Sequence, residues 1–158
     1  MVGGWAGGET KRALSCCRAG GTPLHRLRRS PSPAPQGRIT DCTTGSTTSG
    51  TCERQTEGAV DPAYYGGATP TDNSGTMKYV QIRYSGAILS ANSELQGLTT
   101  GAVGSGTVLD RIQSHNSSDD GIEWFGGRVN QRFLVLTGND DDSLDMDSGF
   151  KGAMQFVI

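Results

Sequence analysis

Hydrophobic residues arrive in short bursts along this chain, and turn formers close each burst. Residues 132–136 alternate around Leu134 and Leu136, and Thr137-Gly138-Asn139-Asp140 then reads as a turn. Leu144 and Met146 alternate with Ser143, Asp145 and Asp147, the period of two that marks a half-buried strand. Asp147-Ser148-Gly149 and Lys151-Gly152 turn the chain again before residues 153–158. No apolar run is long enough to cross a bilayer as a helix, and helical periodicity is scarce. The predicted elements are short β-strands separated by tight turns.

The bursts repeat. Laid on itself at a shift of 22, the chain puts Ile112, Leu134 and Phe156 in one column and Ser114, Leu136 and Ile158 in another. Asp119-Asp120-Gly121-Ile122-Glu123-Trp124 lies over Asp141-Asp142-Ser143-Leu144-Asp145-Met146 without a gap, apolar on apolar and acid on acid. An earlier copy is looser. Ser74-Gly75-Thr76-Met77 matches Ser105-Gly106-Thr107-Val108 at 31, and Val80-Gln81 matches Ile112-Gln113 at 32. A loop or added strand is therefore expected around 90–104. A unit this short cannot bury its apolar face alone, so successive copies must stack. Strand, turn, strand, turn in about 22 residues, stacked in parallel, is an all-β solenoid: a parallel β-helix.

Composition divides the chain in two. Residues 1–38 hold seven basic residues against Glu9, a charge of +6; residues 39–158 hold seven basic against fifteen acidic, a charge of −8. Pro31, Pro33 and Pro35 interrupt the head, which has no alternating apolar pattern, so 1–38 is expected to be disordered and 39–158 to be the domain. The apolar core of a secretory signal is missing there. The abrupt change near 36–38 fits a head that is not native coding sequence. A basic arm of this kind would need interleaved aromatics to grip nucleic acid, and Trp5 stands alone, so no nucleic-acid partner is expected. Glycine supplies 24 of 158 residues, but without a period of three, which excludes collagen.

Cys42 and Cys52 bracket a run made only of Thr, Ser and Gly. Such a loop buries nothing, and a disulfide closing it would contribute about 2–3 kcal/mol. That pairing favours an oxidising, extracytoplasmic compartment; two free thiols are the alternative. No cysteine spacing matches a zinc site.

The 22-residue period, together with SSDDGIEWFGG at 117–127 and NDDDSLDMDSG at 139–149, resembles right-handed parallel β-helix proteins of the pectin-lyase-like type. The run from Glu57-Gly58-Ala59 through Tyr64-Tyr65-Gly66-Gly67 to Thr69–Thr76 is similar to uncharacterised bacterial cell-surface proteins and lipoproteins of that architecture. The resemblance covers roughly 39–158. It implies a piece of a longer, secreted parent, and open solenoid ends that would self-associate.

Stacked coils bring like charges together. Paired strands lie about 4.8 Å apart, so Asp119 should sit on Asp141, Asp120 on Asp142 and Glu123 on Asp145. Three explanations compete. The aspartates can be turn formers that accept backbone N–H groups. Asp119, Asp141, Glu123 and Asp145 can hold a hard cation, Ca2+ by preference, although neither an EF-hand nor a glycine-rich calcium nonapeptide is present. Asp120, Asp141 and Asp142 can divide into a general acid and a base. Their spacing is similar to polygalacturonase-like hydrolases, but the Gly-His-Gly and Arg-Ile-Lys that family also uses do not occur.

His115 reads as a solvated turn residue, Arg111 and Arg132 as charge balance for the acids or contacts to an acidic sugar, Trp124 as core and Phe125 as an exposed aromatic. The expectation is an extracytoplasmic β-helix that binds polysaccharide or a surface glycan without catalysis. The alternative is a polysaccharide lyase or glycoside hydrolase, with or without Ca2+.

Overall fold

A computed structural model describes the backbone of residues 14–17 and residues 39–56, 64–90 and 93–158. The strands are β1 (Leu14–Cys17), β2 (Glu53–Gln55), β3 (Tyr64–Gly66), β4 (Thr76–Arg83), β5 (Ala87–Ser90) and β6 (Ser93–Leu95). They continue with β7 (Leu98–Gly101), β8 (Val108–His115), β9 (Ile122–Phe125), β10 (Gln131–Thr137), β11 (Leu144–Asp147) and β12 (Met154–Val157). Two parallel four-stranded sheets result, ordered β1-β7-β9-β11 and β12-β10-β8-β4. The chain leaves one sheet, turns and enters the other, so each coil contributes a strand to both. That is a parallel β-helix, and its walls are the strands the alternating pattern predicts.

The extra length of the first copy holds the antiparallel β5–β6 hairpin. The backbone of β1 lies within the basic head and pairs in parallel with β7, beginning Leu14 on Leu98. The rest of the head lies outside the described residues, as does 57–63.

The shift of 22 governs the middle coils: Ile112 pairs with Leu134, Ile122 with Leu144, Glu123 with Asp145 and Trp124 with Met146. It does not govern the last strand. There Leu134 pairs with Val157, a shift of 23, and Phe156 is not in its column. The turn at 148–153 is one residue longer than its counterpart at 126–130. Phe150 lies in that longer turn, its ring 5.4 Å from that of Trp124. The first copy also differs: Thr76 pairs with Val108 and Met77 with Leu109, a shift of 32 throughout. The Ser-Gly-Thr match at 31 is a coincidence of letters. A slip of one residue would turn Met77 outward, whereas at 32 Met77 packs against the core that contains Leu109.

Leu98, Leu109, Ile112, Ile122, Trp124 and Leu134 fill the interior. Each such side chain contributes about 1.5–3 kcal/mol by leaving water. Met146, in register with Trp124, is 53% exposed on the last coil. The inward column of Leu109 and Met154 carries an amide: Gln131 stands between them. It is buried, and neither atom of its side-chain amide has a hydrogen-bond partner among the described residues.

A second apolar cluster sits outside the coil wall, where Ile39, Cys52, Tyr65, Ala102 and Phe125 meet. The segment that forms it is closed by the Cys42–Cys52 disulfide and by β2 pairing with β3. Phe125 is therefore buried, contrary to the exposed position expected from its outward parity. Tyr65 lies 6.1 Å from its ring and the Arg54 guanidinium 5.4 Å. Parity along β9 gave the direction of that side chain; only the packed segment supplied its cover.

Candidate functional site

Strands β8 and β9 join through the turn at 116–121, and β10 and β11 through 138–143. Stacking puts one turn on the other. The Asp120 carboxylate accepts the N–H of Asp142 at 2.9 Å, and Gly121 N–H donates to the Asp142 carbonyl at 2.8 Å. One coil below, Gly97 N–H donates to the Asp120 carbonyl at 2.8 Å, and the Gln96 amide reaches Asp119 Oδ2 at 3.5 Å. A side chain at residue 97 would collide with Ser114 and the Gly121 carbonyl, so the corner closes this tightly only over glycine.

Asp120, Asp141 and Asp142 each bring one carboxylate oxygen within 4.8 Å of the others, and so do Asp120, Glu123 and Asp145. Asp120 is common to both groups. Asp119, expected as a cation ligand, belongs to neither, although it shares the corner. The consequence is electrostatic. Burial pushes the Asp120 carboxyl up to about 7, against the stabilising Asp142 N–H, and the charges of Asp119, Asp145 and Asp141 add to the rise. Asp119 is raised in the same direction, by burial first and then by Glu94 and Asp141. Asp120 is 6% exposed, while Asp141 and Asp142 face solvent. The corner can thus hold a proton near neutral pH, and its clustered oxygens are the donor type a hard cation takes.

A second arrangement lies on the outer face of the sheet made by β4, β8, β10 and β12. Tyr79, Arg111, Phe133 and Phe156 each have a positive φ, between 55° and 61°. This bend recurs once per strand and turns two consecutive residues outward. Their side chains stack across the strands: the Arg111 guanidinium lies 5.2 Å from the Tyr79 ring and 4.5 Å from that of Phe133, which in turn stacks on Phe156. Asp110, one position earlier, is buried and pairs with both Arg111 and Arg132, the latter at 3.3 Å. Arg111 and Arg132 thus pair with Asp110, not with the acidic corner. The sequence held the signal, since Asp110 and Arg132 are 22 residues apart and opposite in charge, but the search for matching letters passes over complementary ones.

Beside this pair runs a groove of about 520 Å³, lined in part by Val108, Asp110, Asn130, Arg132, Met154 and Gln155. His115 is the last residue of β8, not a turn residue. Its Nδ1 lies 2.7 Å from Thr137 Oγ1 and its ring meets the edge of Tyr84.

The family description of a pectate-lyase like β-helix domain matches residues 29–158. The chain belongs to that family. No curated protein and no solved structure gave a significant match. Membership in the pectate-lyase like β-helix family accounts for the parallel coils; the chemistry must come from the residues on them. Among the described residues no helix is long and apolar enough to cross a membrane.

Proposed function

We propose that this chain is a non-catalytic, polysaccharide-binding β-helix domain of an extracytoplasmic, cell-surface protein of the bacterial type. The observation that carries this reading is the position of Asp120. The Asp120 carboxyl, poised near neutrality, is buried and bonded to the Asp142 backbone, so it acts as a fastener between coils and is poorly placed to give a proton to a glycosidic oxygen. A groove with charged and apolar lining, by contrast, lies beside the Asp110–Arg132 pair. The Cys42–Cys52 disulfide supports an oxidising compartment. Among the described residues no strand covers the outer edges of β11 and β12, and such edges would pair with a second copy.

The second reading is a lyase or hydrolase that uses Asp120, Asp141 and Asp142, with a hard cation held by the same corner. It is favoured by the convergence of those oxygens within 4.8 Å. Asp141→Ala and Asp142→Ala separate the two readings in a glycan panel. Binding that survives both changes, with no new reducing ends or unsaturated products from the unaltered chain, is the expected result. Cleavage by the unaltered chain that disappears in both variants would overturn it.

A further inference from the structure

We propose that Arg111 and Arg132, drawn together on the buried Asp110 carboxylate, form an anion site on the outer sheet face that takes the phosphate group of a phosphorylated glycan. The sugar part of this statement rests on the polysaccharide reading above; the anion part stands on the geometry of three side chains.

The charge count comes first. Two guanidinium groups share one carboxylate, which leaves an excess of +1. Lys78 lies opposite Asp110 on β4 in the same row, which raises it to +2. Among the described residues no other carboxylate pairs with Arg111 or Arg132. The rest of the domain is strongly acidic, so this face stands apart from its surroundings.

The donors are also prepared. Arg111 gives Nη1 to Asp110, and Arg132 gives Nε, so Arg132 keeps both terminal nitrogens for another acceptor. The plane of Arg111 is held between Tyr79 and Phe133, and Arg132 lies 5.8 Å from the Phe133 ring. Stacking of this kind leaves the N–H edge of a guanidinium available and removes the freedom that binding would otherwise have to freeze out. Asp110 is almost wholly buried, so it acts as the anchor that sets both arginines.

A phosphomonoester carries about −1.5 to −2 at neutral pH and three acceptor oxygens, which suits an excess of +2 and two forked donors. A uronate carboxylate carries half that charge and two oxygens. The groove at Arg132 supplies space for the attached sugar, with Asn130 and Gln155 for its hydroxyls and the exposed Val108 for its apolar face.

The test uses the whole chain and calorimetric titration with inorganic phosphate, a phosphorylated oligosaccharide, an oligouronate of equal length and a neutral oligosaccharide. Phosphate and the phosphorylated sugar should bind, the latter more tightly than the oligouronate. Arg132→Gln should weaken both by roughly tenfold or more, as expected for a lost charge-assisted contact, and Arg111→Gln should do likewise. Melting curves without ligand show whether each variant is folded; Arg132, on the exposed side, is the one expected to fold normally. Equal or tighter oligouronate binding, or phosphate binding unchanged in folded Arg132→Gln, overturns the proposal. Neutral glycan bound without any phosphate binding overturns it too, yet leaves the polysaccharide reading standing. Phosphate binding with no affinity for any glycan overturns the polysaccharide reading and the sugar part of the proposal, and leaves the anion site standing.

Discussion

Phe133 and Phe156 stack with ring centroids 4.8 Å apart and 16° between their planes, although the 22-residue period sets Phe156 over Leu134. Both rings sit at the positive-φ bend of their strand, and both are partly exposed. The longer turn at 148–153 moves the last strand on by one residue, and the aromatic pair follows from that shift.

The stack should be measurable as a coupling. A double-mutant cycle with Phe133→Leu and Phe156→Leu, read by denaturant unfolding, is expected to give about 0.5–1.5 kcal/mol between the rings. Independent effects of the two changes would mean that the last strand is in the other register.

The acidic corner makes stability depend on pH in a definite direction. Below about 4 the Asp120 carboxyl is protonated in the folded and unfolded chains alike, and its burial costs no ionisation. As pH rises from about 4 to about 7 the unfolded chain loses this proton while the folded chain keeps it. Stability should therefore fall across that range and level off above 7, with Asp119 contributing in the same sense. Asp120→Asn keeps an acceptor for the Asp142 N–H and removes the titration. Its melting temperature should decline less between pH 4 and 7 than that of the unaltered chain; parallel curves would contradict the assignment.

Gln131 offers a gain in stability. Its amide is buried between Leu109 and Met154 without a protein partner among the described residues. Methionine has a similar volume and no amide to satisfy. Gln131→Met is expected to stabilise the fold by about 1–3 kcal/mol, the usual penalty of an unsatisfied polar group, as read from the unfolding midpoint. A loss of stability would show that the amide has a necessary partner, such as an enclosed water.

Calcium provides a test of the corner that does not depend on sugar binding. If Asp120, Asp141, Asp142, Glu123 and Asp145 hold a hard cation, millimolar Ca2+ should raise the melting temperature at pH 8, with a smaller rise at pH 5, where the Asp120 proton competes. Asp141→Asn combined with Asp145→Asn should abolish the rise. An unchanged melting temperature at both pH values would leave the cluster as a structural feature of the turn.

The period of two and the 22-residue recurrence were enough to specify strands, turns and parallel stacking, because a solenoid converts sequence period into contact. The columns Ile112–Leu134 and Ile122–Leu144, and the acid rows at Asp120 and Glu123, were legible for that reason. Phe125 was not, because a local pattern gives the direction of a side chain but not what lies against it; the segment that covers Phe125, from Ile39 to Tyr65, comes from far earlier in the chain. The pairing of Asp110 with Arg111 and Arg132 was hidden for a different reason. Opposite charges attract across strands as well as like residues stack, and a comparison that scores identity does not register complementarity.

Local pattern by itself determined that this chain winds into coils with apolar residues inside, since burial demands it at every turn. Tertiary packing alone decided which carboxyl became buried enough to keep its proton near neutrality, which aromatics met, and which arginines were held ready on the outer face. Those outcomes depend on loop lengths that differ by a single residue and on segments distant in the chain. Free energy at such places is set by neighbours in space, and the order of residues names those neighbours only after the chain has folded.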